Sequence, residues 1–200
     1  MSHAHGHQST GNLKTAFFLN VSFTMIEIIG GLLTNSVAIL SDAIHDFGDS
    51  LSLGLAWYLQ NISNRERTPT FTYGYKRFSL LGAIITSLVL VVGSVIILYE
   101  AIPRLFQPEA PNATGMIGLA VLGVIVNGIA AWRTRKGKSL NEQVVSWHLL
   151  EDVLGWVAVL IGAVVMYFFD VPIIDPVLSI AITAFVLFNV VKSLIRAGKI

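Results

Sequence analysis

Six long apolar segments, separated by short polar breaks, constrain the fold of this 200-residue chain more than any other feature. About 20 apolar residues are needed for a helix to cross the hydrocarbon core of a bilayer. Charged residues make up only 12% of the chain, whereas soluble domains contain roughly a quarter. The segments predicted to cross the membrane are Leu13–Thr34, Ser36–Leu59, Arg77–Ala101, Thr114–Trp132, Glu142–Phe169 and Ile173–Ile195. We therefore predict an all-α polytopic membrane protein with six transmembrane helices, rather than a soluble helical bundle.

The lysine and arginine residues are distributed unevenly between the two sides of the predicted bundle. Of the 13 in the sequence, 12 lie near the start of span one, between spans two and three, between spans four and five, or near the end of span six. Arg104 lies on the opposite side. Because cytoplasmic loops collect Lys and Arg, both termini are predicted to face the cytoplasm. The expected location is a bacterial inner membrane.

Spans two and five carry ionisable side chains that are costly to bury. A charged residue at the bilayer centre costs roughly 2.5–3.5 kcal/mol on insertion scales. Residues four apart lie on one face of a helix, so each span presents a His-x-x-x-Asp pair. The pairs are His45 with Asp49 in span two and His148 with Asp152 in span five.

Together the two pairs could bind one metal ion. Two imidazoles and two carboxylates suit tetrahedral Zn²⁺, and the absence of cysteine excludes thiolate ligands. A divalent cation would offset the negative charge of the two buried carboxylates. Without the metal the same groups can take up protons, which would link metal movement to proton movement. The alternative is that each side chain forms an independent hydrogen bond between helices, although the repeated spacing favours a shared site.

Other polar residues allow two interpretations. The remaining acidic residues of the two spans either extend a path for metal or protons or hydrogen-bond to neighbouring helices; they are Asp42, Asp46 and Glu151. Residues 1–12 form a polar N-terminal tail, predicted to be flexible and cytoplasmic. Spaced imidazoles bind Zn²⁺ weakly, so the tail either collects metal or carries incidental histidines. Those histidines are His3, His5 and His7.

The sequence around both pairs resembles the cation diffusion facilitator family, which includes bacterial zinc exporters and zinc transporters of eukaryotic organelles. The most specific matches are SVAILSDAIHDFGDSLSL in span two and NEQVVSWHLLEDVLGWVAVLIGA in span five, and FTYGYKRFSLLGA and DPVLSIAI also match. The resemblance implies a cation-efflux transmembrane fold and a homodimer that exchanges metal for protons. It also implies a transport site at His45, Asp49, His148 and Asp152. Zinc is the expected substrate, and Cd²⁺, Co²⁺ and Fe²⁺ have overlapping ligand chemistry.

The resemblance leads to a functional hypothesis with two alternatives. We expect residues 13–200 to form a transport domain that exports zinc from the cytoplasm, without the cytoplasmic domain that usually follows span six. The expected partners are a metal ion, protons, the lipid bilayer and a second copy of the chain, with no nucleic acid. One alternative is a non-transporting scaffold or subunit with a structural metal site. The other is a membrane-embedded zinc hydrolase, disfavoured because four protein ligands would close the coordination position that such an enzyme needs.

Overall fold

The computed structural model describes the backbone of residues 4–63, 77–134 and 140–197. These residues form six helices: α1 (Ala4–Thr34), α2 (Val37–Ser63), α3 (Arg77–Phe106), α4 (Ala113–Thr134), α5 (Leu140–Phe169) and α6 (Ile174–Ala197). The described residues contain no strand. The all-α prediction with six helices is therefore confirmed.

Five of the helices are long and apolar enough to cross a membrane. The qualifying segments are Phe17–Thr34, Ile84–Phe106, Ala113–Trp132, His148–Phe169 and Ile174–Ile195. Helix α2 has 27 residues and a length of about 40 Å at 1.5 Å per residue, which is enough to span a bilayer. The mean hydropathy of α2 is reduced by three aspartates in its N-terminal half, Asp42, Asp46 and Asp49. The chain is a multi-pass integral membrane protein.

The helix ends differ most from the predicted spans at the start of α1 and the end of α3. Helix α1 begins at Ala4, so the backbone of residues 4–12 is helical where a flexible tail was predicted. The side chains of His5 and His7, and the whole of His3, lie outside the described residues. Helix α3 continues five residues past the predicted end, to Phe106. An ion pair between Arg104 and Glu100, one turn apart with N and O separated by 2.8 Å, stabilises this extra turn.

Helix α1 ends in a Schellman motif that fixes the turn into α2. Asn35 adopts a left-handed conformation with φ of 54°. Its N–H donates to the Leu32 carbonyl at 3.3 Å, and the Ser36 N–H donates to the Gly31 carbonyl at 3.0 Å. These two bonds satisfy carbonyls that the end of a helix would otherwise leave without donors.

The helices divide into two compact units, and four of them contribute residues to both. The first unit contains Met1–Ile26, Ala43–Ile96 and Ala184–Ile200, and the second contains Glu27–Asp42 and Ile97–Thr183. In the first unit α2 and α3 pack closely through glycines. A Cβ at Gly48 would overlap the Leu90 side chain, and one at Gly93 would lie 2.6 Å from Ile44 Cγ2.

In the second unit a buried carboxylate caps the first turn of α2. Asp175, 1% exposed at the start of α6, accepts hydrogen bonds from Ser36 Oγ at 2.6 Å and from the Val37 and Ala38 N–H groups at 2.8 and 3.3 Å. These N–H groups lie at the start of the helix, where they have no intrahelical acceptor. Asp175 therefore performs the function of an N-cap residue, although it comes from a distant part of the chain.

Also in the second unit, α4 packs against α5 as an antiparallel neighbour. Five residues, 135–139, connect them, and such a connection reaches at most about 20 Å. Helix α4 has 22 residues, or about 33 Å of length, so α5 must run back alongside it. A Cβ at Gly123 would overlap the Trp156 indole, so this glycine allows close packing of the two helices.

Candidate metal site

The first His/Asp pair, His45 and Asp49 on α2, is called the α2 pair below. Its facing atoms, His45 Nε2 and Asp49 Oδ2, are 3.7 Å apart. One ligand atom from each of His45, Asp46 and Asp49 lies within 4.8 Å of the others. A single helix thus brings three possible ligands together, although Asp46 was predicted only as an accessory residue.

The position of the α2 pair is fixed by contacts from α1 and α3. Asn20 of α1 donates from Nδ2 to the Asp46 backbone carbonyl at 3.1 Å and to Ser50 Oγ at 3.0 Å. On α3, Leu90 packs against Gly48, between His45 and Asp49 in sequence. These contacts restrict rotation of α2 about its axis, which keeps the pair's direction fixed.

A cavity of about 220 Å³ adjoins the α2 pair. His45 and Asp49 line it, and five of the other eight lining residues carry hydroxyl or amide groups, although most of the lining surface is apolar. Those polar residues are Ser52, Thr86, Ser87, Asn189 and Ser193. Ser52 Oγ donates to Thr86 Oγ1 at 3.4 Å. Hydroxyl and amide oxygens can replace water around a cation, so these five residues offer oxygen atoms to an ion beside the α2 pair.

The second pair, His148 and Asp152 on α5, is called the α5 pair below. His148 Nε2 lies 3.9 Å from Asp152 Oδ2. The exposed fraction is 38% for the His148 side chain and 9% for Asp152. In the α2 pair the values are 19% for His45 and 26% for Asp49. The structure therefore forms both pairs, with opposite distributions of exposure.

The atomic separations in both pairs are close to those of bound ligands. Zinc binds imidazole nitrogen and carboxylate oxygen at about 2.0–2.2 Å, and tetrahedral geometry places such ligands about 3.3 Å apart. The pairs at 3.7 and 3.9 Å need to close by only about half an ångström to bridge an ion.

The accessory residues occupy different environments. Asp42 is 5% exposed, and its Oδ1 lies 3.8 Å from where a Cβ on Gly155 of α5 would stand. This position against α5 fits the interpretation of helix-to-helix bonding. Glu151 is exposed. The sequence did not predict the hydroxyl residues of the cavity. The one indication in the sequence was that Ser52 follows Asp49 by three residues, which places both on one face of α2.

Comparisons with known proteins identify the family. The profile of the cation efflux transmembrane domain matches residues 13–200. A cadmium, cobalt and zinc/H⁺–K⁺ antiporter of Bacillus subtilis is 36% identical over 96% of this chain and 65% of its own length. The zinc transporter ZitB of Pectobacterium atrosepticum is 33% identical over 94% of this chain and 60% of its own length.

A third relative is the metal cation efflux system protein CzcD of Cupriavidus metallidurans, 35% identical over 93% of this chain and 60% of its own length. The chain thus spans less than two thirds of the length of these relatives. Because the profile covers nearly all of the chain and the relatives match along it, the chain belongs to the cation efflux family, the cation diffusion facilitators that its second and fifth spans resemble.

Proposed function

We propose that this chain exports a divalent metal ion, zinc in the first instance, from the cytoplasm in exchange for protons. His45, Asp49, His148 and Asp152 bind the ion in one site. The observation that carries the proposal is the repeated geometry of the α2 pair and the α5 pair. Each brings an imidazole nitrogen and a carboxylate oxygen to within 4 Å on one helix face, at 3.7 and 3.9 Å.

The names of the relatives support the choice of metal. The Bacillus subtilis relative is named for cadmium, cobalt and zinc and for protons and potassium ions, and the Pectobacterium relative is named for zinc. Nitrogen and oxygen ligands are compatible with all three metals. Two imidazoles with two carboxylates suit a four-coordinate Zn²⁺ best.

Protons drive the proposed cycle because they compete for the same atoms as the metal. Metal binding requires deprotonated imidazole and carboxylate ligands, so zinc and protons exclude one another from the site. When the site opens to a more acidic exterior, protons bind to the same nitrogens and oxygens and release the ion. The cavity beside the α2 pair is the proposed approach from the cytoplasm. Its polar residues Ser52 and Ser193 lie in the C-terminal halves of α2 and α6, which the predicted topology directs inward.

Zinc flux in proteoliposomes tests this proposal. We expect zinc uptake into vesicles that are acidic inside, with much slower uptake when the pH gradient is collapsed. His148→Ala should abolish uptake while its far-UV circular dichroism matches that of the native protein. A zinc flux that is the same with and without the pH gradient would reject the exchange of zinc for protons. Native flux in His148→Ala would reject the proposed site.

Terminal orientation and oligomeric state are further parts of the proposal. We propose that both termini face the cytoplasm and that two copies associate. The chain has no cysteine, so single cysteines can report accessibility without background. In intact cells a membrane-impermeant thiol reagent should label Ala110→Cys, in the exposed turn between α3 and α4, but not Ser2→Cys. Labelling of Ser2→Cys but not of Ala110→Cys would reject the proposed orientation. The oligomeric state is measured separately, by light scattering of the purified protein, and a monomeric mass would reject the dimer.

A further inference from the structure

Asn127 is a buried polar residue to which the proposed transport cycle gives no role. It lies in α4 and is only 7% exposed. Its amide nitrogen Nδ2 is buried and has no hydrogen-bond partner among the residues that the structure describes. An unpaired buried donor loses its water without gaining an acceptor, so such groups in native proteins call for an explanation.

The packing of α4 against α5 places Asn127 at the level of the α5 pair. Gly123 of α4 contacts Trp156 of α5, and the two helices are antiparallel. Asn127 follows Gly123 by four residues, and Asp152 precedes Trp156 by four. Because the helices are antiparallel, these two four-residue steps run in the same direction, and each covers about 6 Å. Residues four apart also lie on the same face of a helix. Asn127 and Asp152 therefore lie opposite one another, one turn from the glycine contact.

We propose that Asn127 is a positioning residue for Asp152. The Asn127 Nδ2–H donates to the carboxylate oxygen of Asp152 that does not bind the ion, and so fixes the orientation of the oxygen that does. The inference rests on the proposed function, because it takes Asp152 as a metal ligand. It extends that function by giving the buried amide of α4 a part in metal affinity.

The physical reason lies in the geometry of a carboxylate ligand. A carboxylate that binds an ion through one oxygen leaves the other oxygen available to a donor, and ligating carboxylates usually have such a partner. The Asp152 side chain is 9% exposed, so water has little access to that oxygen. The hydrogen bond from Asn127 to this oxygen holds the carboxylate in its ligating orientation and adds to the ion's affinity.

Two near-isosteric variants test the inference on the purified full chain. Asn127→Leu removes the donor, and Asn127→Asp replaces it with an acceptor. Loss of a hydrogen-bond partner to a metal ligand typically lowers affinity about 10–100-fold, and we expect that loss in zinc calorimetry for both. The thermal midpoint of metal-free Asn127→Leu should be unchanged or higher, because the variant replaces an unpaired buried donor with an apolar group.

Two outcomes would overturn the inference. The first is native zinc affinity in Asn127→Leu, which together with a lower metal-free midpoint indicates a purely structural role. The second is native or tighter binding by Asn127→Asp, which indicates that the side chain binds the ion directly through oxygen. If Asn127→Leu does not fold, Asn127→Gln takes its place, with reduced zinc affinity at a native midpoint as the expected result and native affinity as the overturning one.

Two controls separate this inference from the proposed function and from general loss of polar contacts. Asn20→Leu removes an asparagine whose Nδ2 already bonds to Asp46 O and Ser50 Oγ, so its metal-free midpoint should fall. Asp152→Ala should abolish zinc binding. Native binding by Asp152→Ala would reject Asp152 as a ligand and with it the proposed site. Loss of binding in Asp152→Ala with native binding in Asn127→Leu would reject the role of Asn127 alone.

Discussion

The α2 pair and the α5 pair have the same sequence spacing and nearly the same atomic separation, yet their exposures are reversed. In the α2 pair the carboxylate is the more exposed group, at 26% against 19% for the imidazole. In the α5 pair the imidazole is the more exposed, at 38% against 9% for the carboxylate. Helical periodicity sets the distance between the two side chains of a pair. Packing of the neighbouring helices determines which of the two side chains is the more buried.

The surroundings of the two pairs differ. The α2 pair adjoins a cavity that Ser52 and Thr86 also line. The α5 pair lies on a helix that packs against α4 through Gly123 and Trp156, and Trp156 is 1% exposed. Because the Asp152 side chain is 9% exposed and that of Asp49 is 26% exposed, burial of charge is more costly at Asp152.

The largest expected effect is loss of zinc binding when either proposed carboxylate ligand is removed. Asp49→Ala and Asp152→Ala should each lower zinc affinity by more than about 100-fold, because removing a ligand exceeds the effect of removing its outer partner. Isothermal calorimetry on purified protein measures both. Similar losses of zinc affinity in the two variants would indicate that both pairs bind the same ion despite their different surroundings. Native affinity in one variant would show that the other pair binds zinc alone.

The next largest effect concerns the anchoring of the helix that carries the α2 pair. Asp175→Ala removes the acceptor of Ser36 Oγ, Val37 N and Ala38 N. We expect the free energy of unfolding to fall by about 2 kcal/mol, at the upper end for loss of an N-cap, since the N–H groups are buried. Denaturant titration in detergent measures this change.

Asp175→Asn is the matched variant for the cap, because it keeps one acceptor oxygen and should recover part of the stability. The loss of stability in Asp175→Ala should far exceed any loss in Asp49→Ala, which removes a proposed ligand but no cap. Equal losses in the two alanine variants would contradict the assignment of Asp175 to stability and Asp49 to binding.

The sequence predicts the helices and the two pairs because both depend on local periodicity. Apolar runs of sufficient length define the spans, and a four-residue spacing places His and Asp on one face. The reversed exposure of Asp49 and Asp152 was not predictable, because it depends on which helix packs against each. The cap shows the same limit: an acid in the first turn of span six is visible in the sequence, but its partners, beginning at Ser36, are more than 130 positions away.

A smaller effect should appear in the metal-free protein when each carboxylate is neutralised. Asp152→Asn should raise the free energy of unfolding by about 1 kcal/mol more than Asp49→Asn does, because burial of an ionised group with little access to water is unfavourable. Chemical denaturation at neutral pH in the presence of a chelator measures the difference. A larger gain in Asp49→Asn would contradict the view that Asp152 is the drier carboxylate.

The smallest expected effect concerns the cavity beside the α2 pair. Thr86→Val keeps the side-chain shape but removes a hydroxyl that lines the cavity and accepts from Ser52 Oγ at 3.4 Å. Loss of one neutral hydrogen-bonding group, about 0.6 kcal/mol, corresponds to a roughly threefold slower zinc flux. Zinc affinity at equilibrium should remain native, because Thr86 lines the approach and is not one of the four proposed ligands.

Thr183→Val is the matched control for that prediction. It removes a buried hydroxyl of α6 that donates to Ser41 Oγ at 3.4 Å and does not line the cavity. Flux measured under the same pH gradient should stay native in this variant while falling in Thr86→Val. Equal slowing in both variants would mean that general weakening of helix packing limits flux. Slowing in Thr86→Val alone would place a rate-limiting step of zinc movement in the hydroxyl-lined cavity, since the two substitutions are chemically identical and differ only in what the lost hydroxyl faces.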